Sequence, residues 1–257
     1  MINENGGIPA GFRLAWFDEF EVAGLPDPAK WVYDTERNFA GWYNNELQYY
    51  SAARPANSRI ENGNLVITAR REDLSTAGLA DWGGQRYSSA RLLTRGKAAW
   101  TYGFVEIRAK LPCGRGTWPA VWMLSAPPQT AWPDDGEIDI MEHVGFDPGV
   151  VHGTMHTSAY NHTRNNSRTA TTTVADACTA FHKYQLTWNA SQIKVGVDDR
   201  NYYQYSNDQS GNAEWPFDSP QYLILNVAVG GDWGGQMGVD DTIFPVQMDV
   251  DYVRVYQ

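Results

Sequence analysis

Cysteine is scarce: Cys113 and Cys178 are the two in 257 residues. Two thiols cannot build the cross-linked framework of a small secreted fold, so a hydrophobic core must hold this chain together. Independent buried thiols are the expectation, with pairing of Cys113 and Cys178 left open as the alternative. No run of about 18 apolar residues occurs, which excludes a membrane-spanning helix. Positive charge is in deficit, with 20 Lys and Arg against 30 Asp and Glu and a formal net charge of -10. Nucleic acid, anionic lipid and sulfated polysaccharide all need cations to neutralise them, so none is an expected partner and a neutral ligand suits best. Residues 1–11 are polar and Gly-rich and lack the basic start and apolar core of a signal peptide. They read as a flexible segment. This leaves a cytoplasmic protein, or a secreted one whose signal has been removed; the secreted reading is the expectation. Helical periodicity is missing, as are internal repeats and low-complexity blocks, so residues 1–257 form one expected domain.

Aromatics are abundant, with 11 Trp and 14 Tyr. A large β-sandwich buries many of them, but the excess suggests a face that stacks on sugar rings, whose C–H faces match flat aromatic area. Strand patterns recur. Residues 59–61 and 65–68 flank Asn62-Gly63, a pair that accepts positive φ cheaply and so marks a hairpin. Residues 104–109 alternate apolar with polar, as do 250–256, while 184–188 and 193–197 form another strand pair. Residues 222–229 read as a buried strand. Short strands separated by turns indicate an all-β sandwich of two antiparallel sheets.

The segment Asp134-Asp135-Gly136-Glu137-Ile138-Asp139-Ile140-Met141-Glu142-His143 carries the chemistry. On a strand, Glu137 and Asp139 share one face while Ile138 and Ile140 face the core. Strict alternation would bury Glu142 with the isoleucines, at high cost for an unpaired carboxylate. A β-bulge at Ile140-Met141 resets the alternation and returns Glu142 to the face of Glu137. Three acids on one face push their pKa values apart and keep a proton among them. Two carboxyls about 5–5.5 Å apart are what a retaining glycosidase uses. Taken alone, the E-x-D-x-x-E pattern also fits a solvated acidic strand or a calcium site.

With its surroundings the segment resembles glycoside hydrolase family 16, and within it the bacterial laminarinases, which are endo-β-1,3-glucanases. The resemblance runs from about Trp16 to Gln257 and rests on five stretches in order: residues 44–50 (NNELQYY), 114–124 (GRGTWPAVWML), 137–142 (EIDIME), 152–156 (HGTMH) and 251–256 (DYVRVY). It implies a β-jelly-roll sandwich with an open concave substrate cleft, and retaining endo-hydrolysis of β-1,3-glucosidic bonds in laminarin-type glucan by double displacement. Glu137 is similar to the family's nucleophile, Glu142 to its acid/base, and Asp139 to the helper that hydrogen-bonds the nucleophile. Trp118 resembles the platform under the sugar being cleaved, and Trp122 a cleft wall. Asn45 and Arg91 resemble donors to sugar hydroxyls, and His156 the histidine close to the acid/base. Cys113 departs from the small or polar residue expected before the Gly-rich turn. No catalytic cofactor is implied. A structural Ca2+ held by Glu19, Gly63 and Asp251, as some members carry, is an expectation, as is a monomer whose partner is β-glucan.

Other signals are weaker. His152 and His156 are four apart, but on a strand they lie roughly 13 Å apart and do not make a metal pair. His143, His162 and His182 read as ordinary surface or loop residues. The loop Gly230-Gly231-Asp232-Trp233-Gly234-Gly235 has no following Gly-Lys pair, so it is no phosphate loop and instead reads as a cleft rim with Trp233 facing substrate. Competing functions are a non-catalytic glucan-binding protein, which would be expected to lose a carboxylate, a transglycosylase, and hydrolysis of mixed β-1,3-1,4-glucan or of a galactan.

Overall fold

The computed structural model describes residues 8–127 and 131–257. Most of the expected flexible segment, residues 1–7, lies outside the described residues. In chain order the strands are β1 (Leu14–Asp18), β2 (Val32–Tyr33), β3 (Gln48–Tyr50), β4 (Ser58–Glu61), β5 (Asn64–Arg71), β6 (Tyr87–Ser89), β7 (Arg91–Leu93), β8 (Gly103–Lys110) and β9 (Thr117–Ser125). They continue as β10 (Glu137–His143), β11 (Val150–His156), β12 (Arg168–Thr173), β13 (His182–Asn189), β14 (Gln192–Val197), β15 (Arg200–Ser206), β16 (Gln221–Val229) and β17 (Val246–Tyr256). No α-helix occurs among the described residues.

The strands form two sheets, as the alternating patterns require. One runs β12-β11-β10-β9-β16-β7-β2, with β10 near its middle. The other runs β15-β14-β13-β8-β17-β5-β6-β3, with β1 and β4 attached to β17 and β5. Pairing is antiparallel except between β3 and β6. Asn62 and Gly63 close the β4–β5 hairpin with φ of 53° and 73°, the left-handed geometry that this pair tolerates. Between the sheets lies a single apolar core. It takes Ile138, Ile140 and Met141 from β10, Val105 and Ile107 from β8, and Leu223, Leu225 and Val227 from β16. All nine residues of β16 are buried, because its outward side chains Tyr222 and Ile224 join a smaller apolar cluster with Leu93, Val32 and Trp122.

Cys113 and Cys178 form a disulfide, contrary to the expectation of independent thiols. The cause is topological. β8 and β13 are neighbours, and the Leu111 amide donates to the Ala177 carbonyl at 2.9 Å, which brings the chain leaving β8 alongside the chain entering β13. His143 is a second correction. It is fully buried, accepts a hydrogen bond at Nε2 from the Gly149 amide (3.0 Å), and lies 4.0 Å from Cys113 Sγ. Burial pushes its pKa down to about 4, so it stays neutral.

Candidate active site

The face of β10 that points away from the core carries the acids. Against β11, Glu137 pairs with His156 and Asp139 with Thr154, and the next register pair is Glu142 with His152. Three steps on β10 thus oppose two on β11, and the extra residue falls at Ile140-Met141, where both side chains are fully buried. The bulge anticipated from the cost of burying Glu142 is present, and Glu142 emerges beside Glu137 and Asp139.

Each glutamate is held by an indole. Trp118, on β9, donates from Nε1 to Glu142 Oε1 at 3.1 Å. Trp132, in the loop before β10, donates from Nε1 to Glu137 Oε2 at 2.8 Å. His156 Nε2 stands 3.4 Å from Asp139 Oδ2 and 3.8 Å from Glu137 Oε1. His156 therefore lies against the Glu137–Asp139 pair and also acts electrostatically on Glu142, while His152 is the register partner of Glu142 across the strands. His162, exposed on a short turn, packs its ring 5.0 Å from Trp132 and 5.2 Å from His156.

Burial raises the pKa of all three acids. The Asp139 charge lifts Glu137 and Glu142 further, while His156 and the two indole N–H groups pull those glutamates back down. The cluster therefore retains protons where isolated carboxyls would have lost them. A carboxylate and a carboxylic acid side by side can attack a carbon and protonate a leaving oxygen.

Around the acids the other expected residues take definite places. Trp122 donates from Nε1 to Asn226 Oδ1 at 2.7 Å. The Arg91 guanidinium lies over Trp122 (4.7 Å) and Trp42 (5.3 Å), pairs with Asp34 at 3.1 Å, and is largely buried, so it braces the Trp122 ring. Asn45 is exposed and donates to Asp232 Oδ1 at 2.8 Å, tying the 43–47 segment to the Gly-rich loop. Trp233 meets Trp118 edge-on at 5.4 Å and His152 at 4.8 Å. Glycine is needed in that loop because it lies on Trp118. A Cβ at Gly234 would sit 2.8 Å from Trp118 Cβ, and one at Gly231 would sit 3.2 Å from both Trp118 Cζ3 and Glu46 Cγ.

Of the proposed calcium ligands, Glu19 accepts from Arg254 at 2.7 and 2.8 Å, and Asp251 pairs with Arg108. The register brings them to the same end of the sheet as the Asn62–Gly63 turn: Asp18 pairs with Val253 and Leu65 with Val250. His182 opens β13 between Asp176 (3.1 Å) and Asp198 (2.6 Å), remote from the acids in sheet order.

Sequence reasoning missed Trp132, His152 and Glu46. Trp132 lies five residues before Glu137, so proximity was a usable signal. Glu46 sits beside Trp118 across Gly231, accepts from Gln48 Nε2 at 2.8 Å, and has its pKa raised mainly by burial. Its place in the 44–50 stretch was the only hint.

Residues 45–254 match the family described as Glycosyl hydrolases family 16. A β-glucanase of Rhodothermus marinus is 53% identical over 254 residues, covering 96% of this chain and 85% of its own length. The crystal structure of SCLam, a non-specific endo-β-1,3(4)-glucanase, superposes with a TM-score of 0.94 at 56% identity, covering 98% of this chain and 93% of its own. The laminarinase structure from Rhodothermus marinus gives a TM-score of 0.89 at 53% identity, covering 96% and 97%.

Proposed function

Because the chain belongs to glycosyl hydrolases family 16, we propose that it cuts internal β-1,3-glucosidic bonds of laminarin-type glucan with retention, using Glu137 as nucleophile and Glu142 as acid/base. The observation that carries this is the bulged strand, which sets two indole-anchored glutamates on one sheet face. In the first step Glu137 attacks the anomeric carbon while Glu142 passes its proton to the departing glycosidic oxygen. In the second, Glu142 takes a proton from water, the resulting hydroxide displaces Glu137, and both carboxyls return to their starting states. Trp118 contributes twice, as a flat surface for the sugar and as a donor that fixes the Glu142 rotamer. A polymer too large to cross a membrane implies an extracellular enzyme, and one chain supplies all three acids from one strand, so the reading takes the enzyme as a monomer.

A second reading is cleavage of mixed β-1,3-1,4-glucan, favoured by the likeness to SCLam, described as non-specific. Product profiles on laminarin, lichenan, agarose and cellulose decide between them. Laminarin oligosaccharides with retained anomeric configuration are expected; products from lichenan alone would replace the first reading with the second, and products from agarose alone would overturn both.

Asp139 acts by its charge and its contact with Glu137. Its negative charge raises Glu137 and Glu142, so Asp139→Asn lowers both. In the rate–pH profile the acid limb reports ionisation of Glu137 and the alkaline limb loss of the Glu142 proton, each as a property of the coupled group. Both limbs should move to lower pH in Asp139→Asn, and the maximum should fall through lost positioning. An unmoved alkaline limb at full activity would show that Asp139 is uncoupled from the pair.

A structural calcium ion fits this reading if the arginines yield. Calcium takes oxygen donors, which Glu19, the Gly63 carbonyl and Asp251 supply once Arg254 and Arg108 are displaced. Millimolar calcium added to chelated protein should then raise the melting temperature, since only the folded state presents the ligands. A flat response would remove the ion from the reading.

A further inference from the structure

Glu137, Asp139 and His156 present one ligand atom each, and those atoms all lie within 4.8 Å of one another. Two features distinguish the trio from an ordinary acidic cluster. His156 is 6% exposed and Asp139 2%, and Asp139 Oδ2, the atom 3.4 Å from His156 Nε2, has no hydrogen-bond partner among the described residues. A buried, unpartnered carboxylate oxygen facing an imidazole nitrogen is a pair of converging donors.

The spacing also matters. Zinc binds nitrogen and oxygen at about 2.0–2.2 Å in tetrahedral geometry, which places neighbouring ligand atoms about 3.3–3.6 Å apart. His156 Nε2 lies 3.4 Å from Asp139 Oδ2 and 3.8 Å from Glu137 Oε1, too long for good hydrogen bonds and close to that edge. Imidazole with carboxylate suits zinc or copper better than calcium or magnesium, which take all-oxygen sets.

We propose that Glu137, Asp139 and His156 form a binding site for a divalent transition metal of the zinc class, and that such an ion reversibly shuts the enzyme. The binding half stands on geometry alone. The inhibition half rests on the proposed role of Glu137, because an ion on that carboxylate takes away the electron pair that would attack the sugar. Glu142 is not a ligand, so its indole-held carboxyl remains in place when the metal is bound.

The test uses zinc chloride with the intact, oxidised protein, in which Cys113 and Cys178 stay paired and offer no thiolate. Calorimetric titration should show one zinc bound, and laminarin hydrolysis should fall as that site fills and recover on chelation. Losing an outer-shell partner of a metal ligand costs about 10–100-fold in affinity, so losing the ligand His156 should cost at least about 100-fold. His156→Asn should show that loss, and His156→Gln provides a second chance if the first variant does not fold. Glu142→Gln should be inactive yet bind zinc as the wild type does, which separates failure of this inference from failure of the catalytic assignment. His182→Asn removes another histidine flanked by two carboxylates, Asp176 and Asp198, and should change nothing. Absence of zinc binding at millimolar concentration, wild-type binding in a folded His156 variant, or loss of binding in His182→Asn would each overturn the proposal.

Discussion

Replacing Glu137 with Gln is expected to leave less than a thousandth of the wild-type rate on laminarin, and replacing Glu142 with Gln to cost about 10²–10⁴-fold, the usual contribution of a general acid/base. Gln keeps the shape but can neither attack in place of Glu137 nor give up a proton in place of Glu142, so the losses report chemistry rather than packing. The two variants should differ on an activated aryl glycoside. A good leaving group needs no proton, so Glu142→Gln recovers much of its first step there, while Glu137→Gln does not. Stability should move the other way. Replacing one of three crowded, desolvated acids with a neutral amide removes a group that is costly to ionise there, so neither variant should melt below the wild type. Azide added to Glu137→Gly should restore turnover and yield a glycosyl azide of inverted configuration. A Glu137→Gln enzyme above a tenth of the wild-type rate would transfer the nucleophile's role elsewhere.

Breaking the disulfide should produce the largest loss of stability. Cys113 and Cys178 are 65 residues apart, and closing a loop of that length removes about 4 kcal/mol of unfolded-state entropy. Cys178→Ser should lose about that much in urea unfolding, seen as a lower midpoint with a steeper denaturant dependence because the unfolded chain is freer to expand. Activity at low temperature should survive, since the cross-link lies behind the strand that carries the acids and touches it through the neutral His143. A loss under about 1 kcal/mol would mean that the pairing along Leu111–Ala177 already holds these segments together in the unfolded ensemble.

What could be read from the chain alone divides along physical lines. Strands were legible wherever one face is buried, because alternation records burial directly: residues 104–109, 222–229 and 250–256 all lie in observed strands. The β10 bulge was legible for a subtler reason, since only a break in alternation spares Glu142 from the core. The disulfide was not, because two cysteines in long-separated loops carry no spacing signal, and the pairing of β8 with β13 that unites them is a tertiary event. That His152 is the register partner of Glu142 was hidden for the same reason: neighbours across strands depend on register, and the bulge itself shifts that register. Trp132 could be suspected only from its nearness to Glu137 in the chain, because an indole delivered by a loop obeys no periodicity.

The bulge between Asp139 and Glu142 has a consequence for how lengths should be compared. A strand keeps parity, not distance: residues separated by an even number share a side, and each bulge changes odd to even. Glu137 and Glu142 are an odd number apart and share a side only because one parity change lies between them. A chain with no bulge would present the same pair at 137 and 141. Two sequences differing by one residue here can therefore offer the same pair to the sugar, whereas two of equal length cannot if only one is bulged. Deleting Met141 alone would straighten the strand and put the second glutamate at the even position, still outward. Inserting one residue elsewhere between the acids would send it inward. Gaps in this segment should accordingly be counted modulo two, together with the bulge, before a missing acid is inferred.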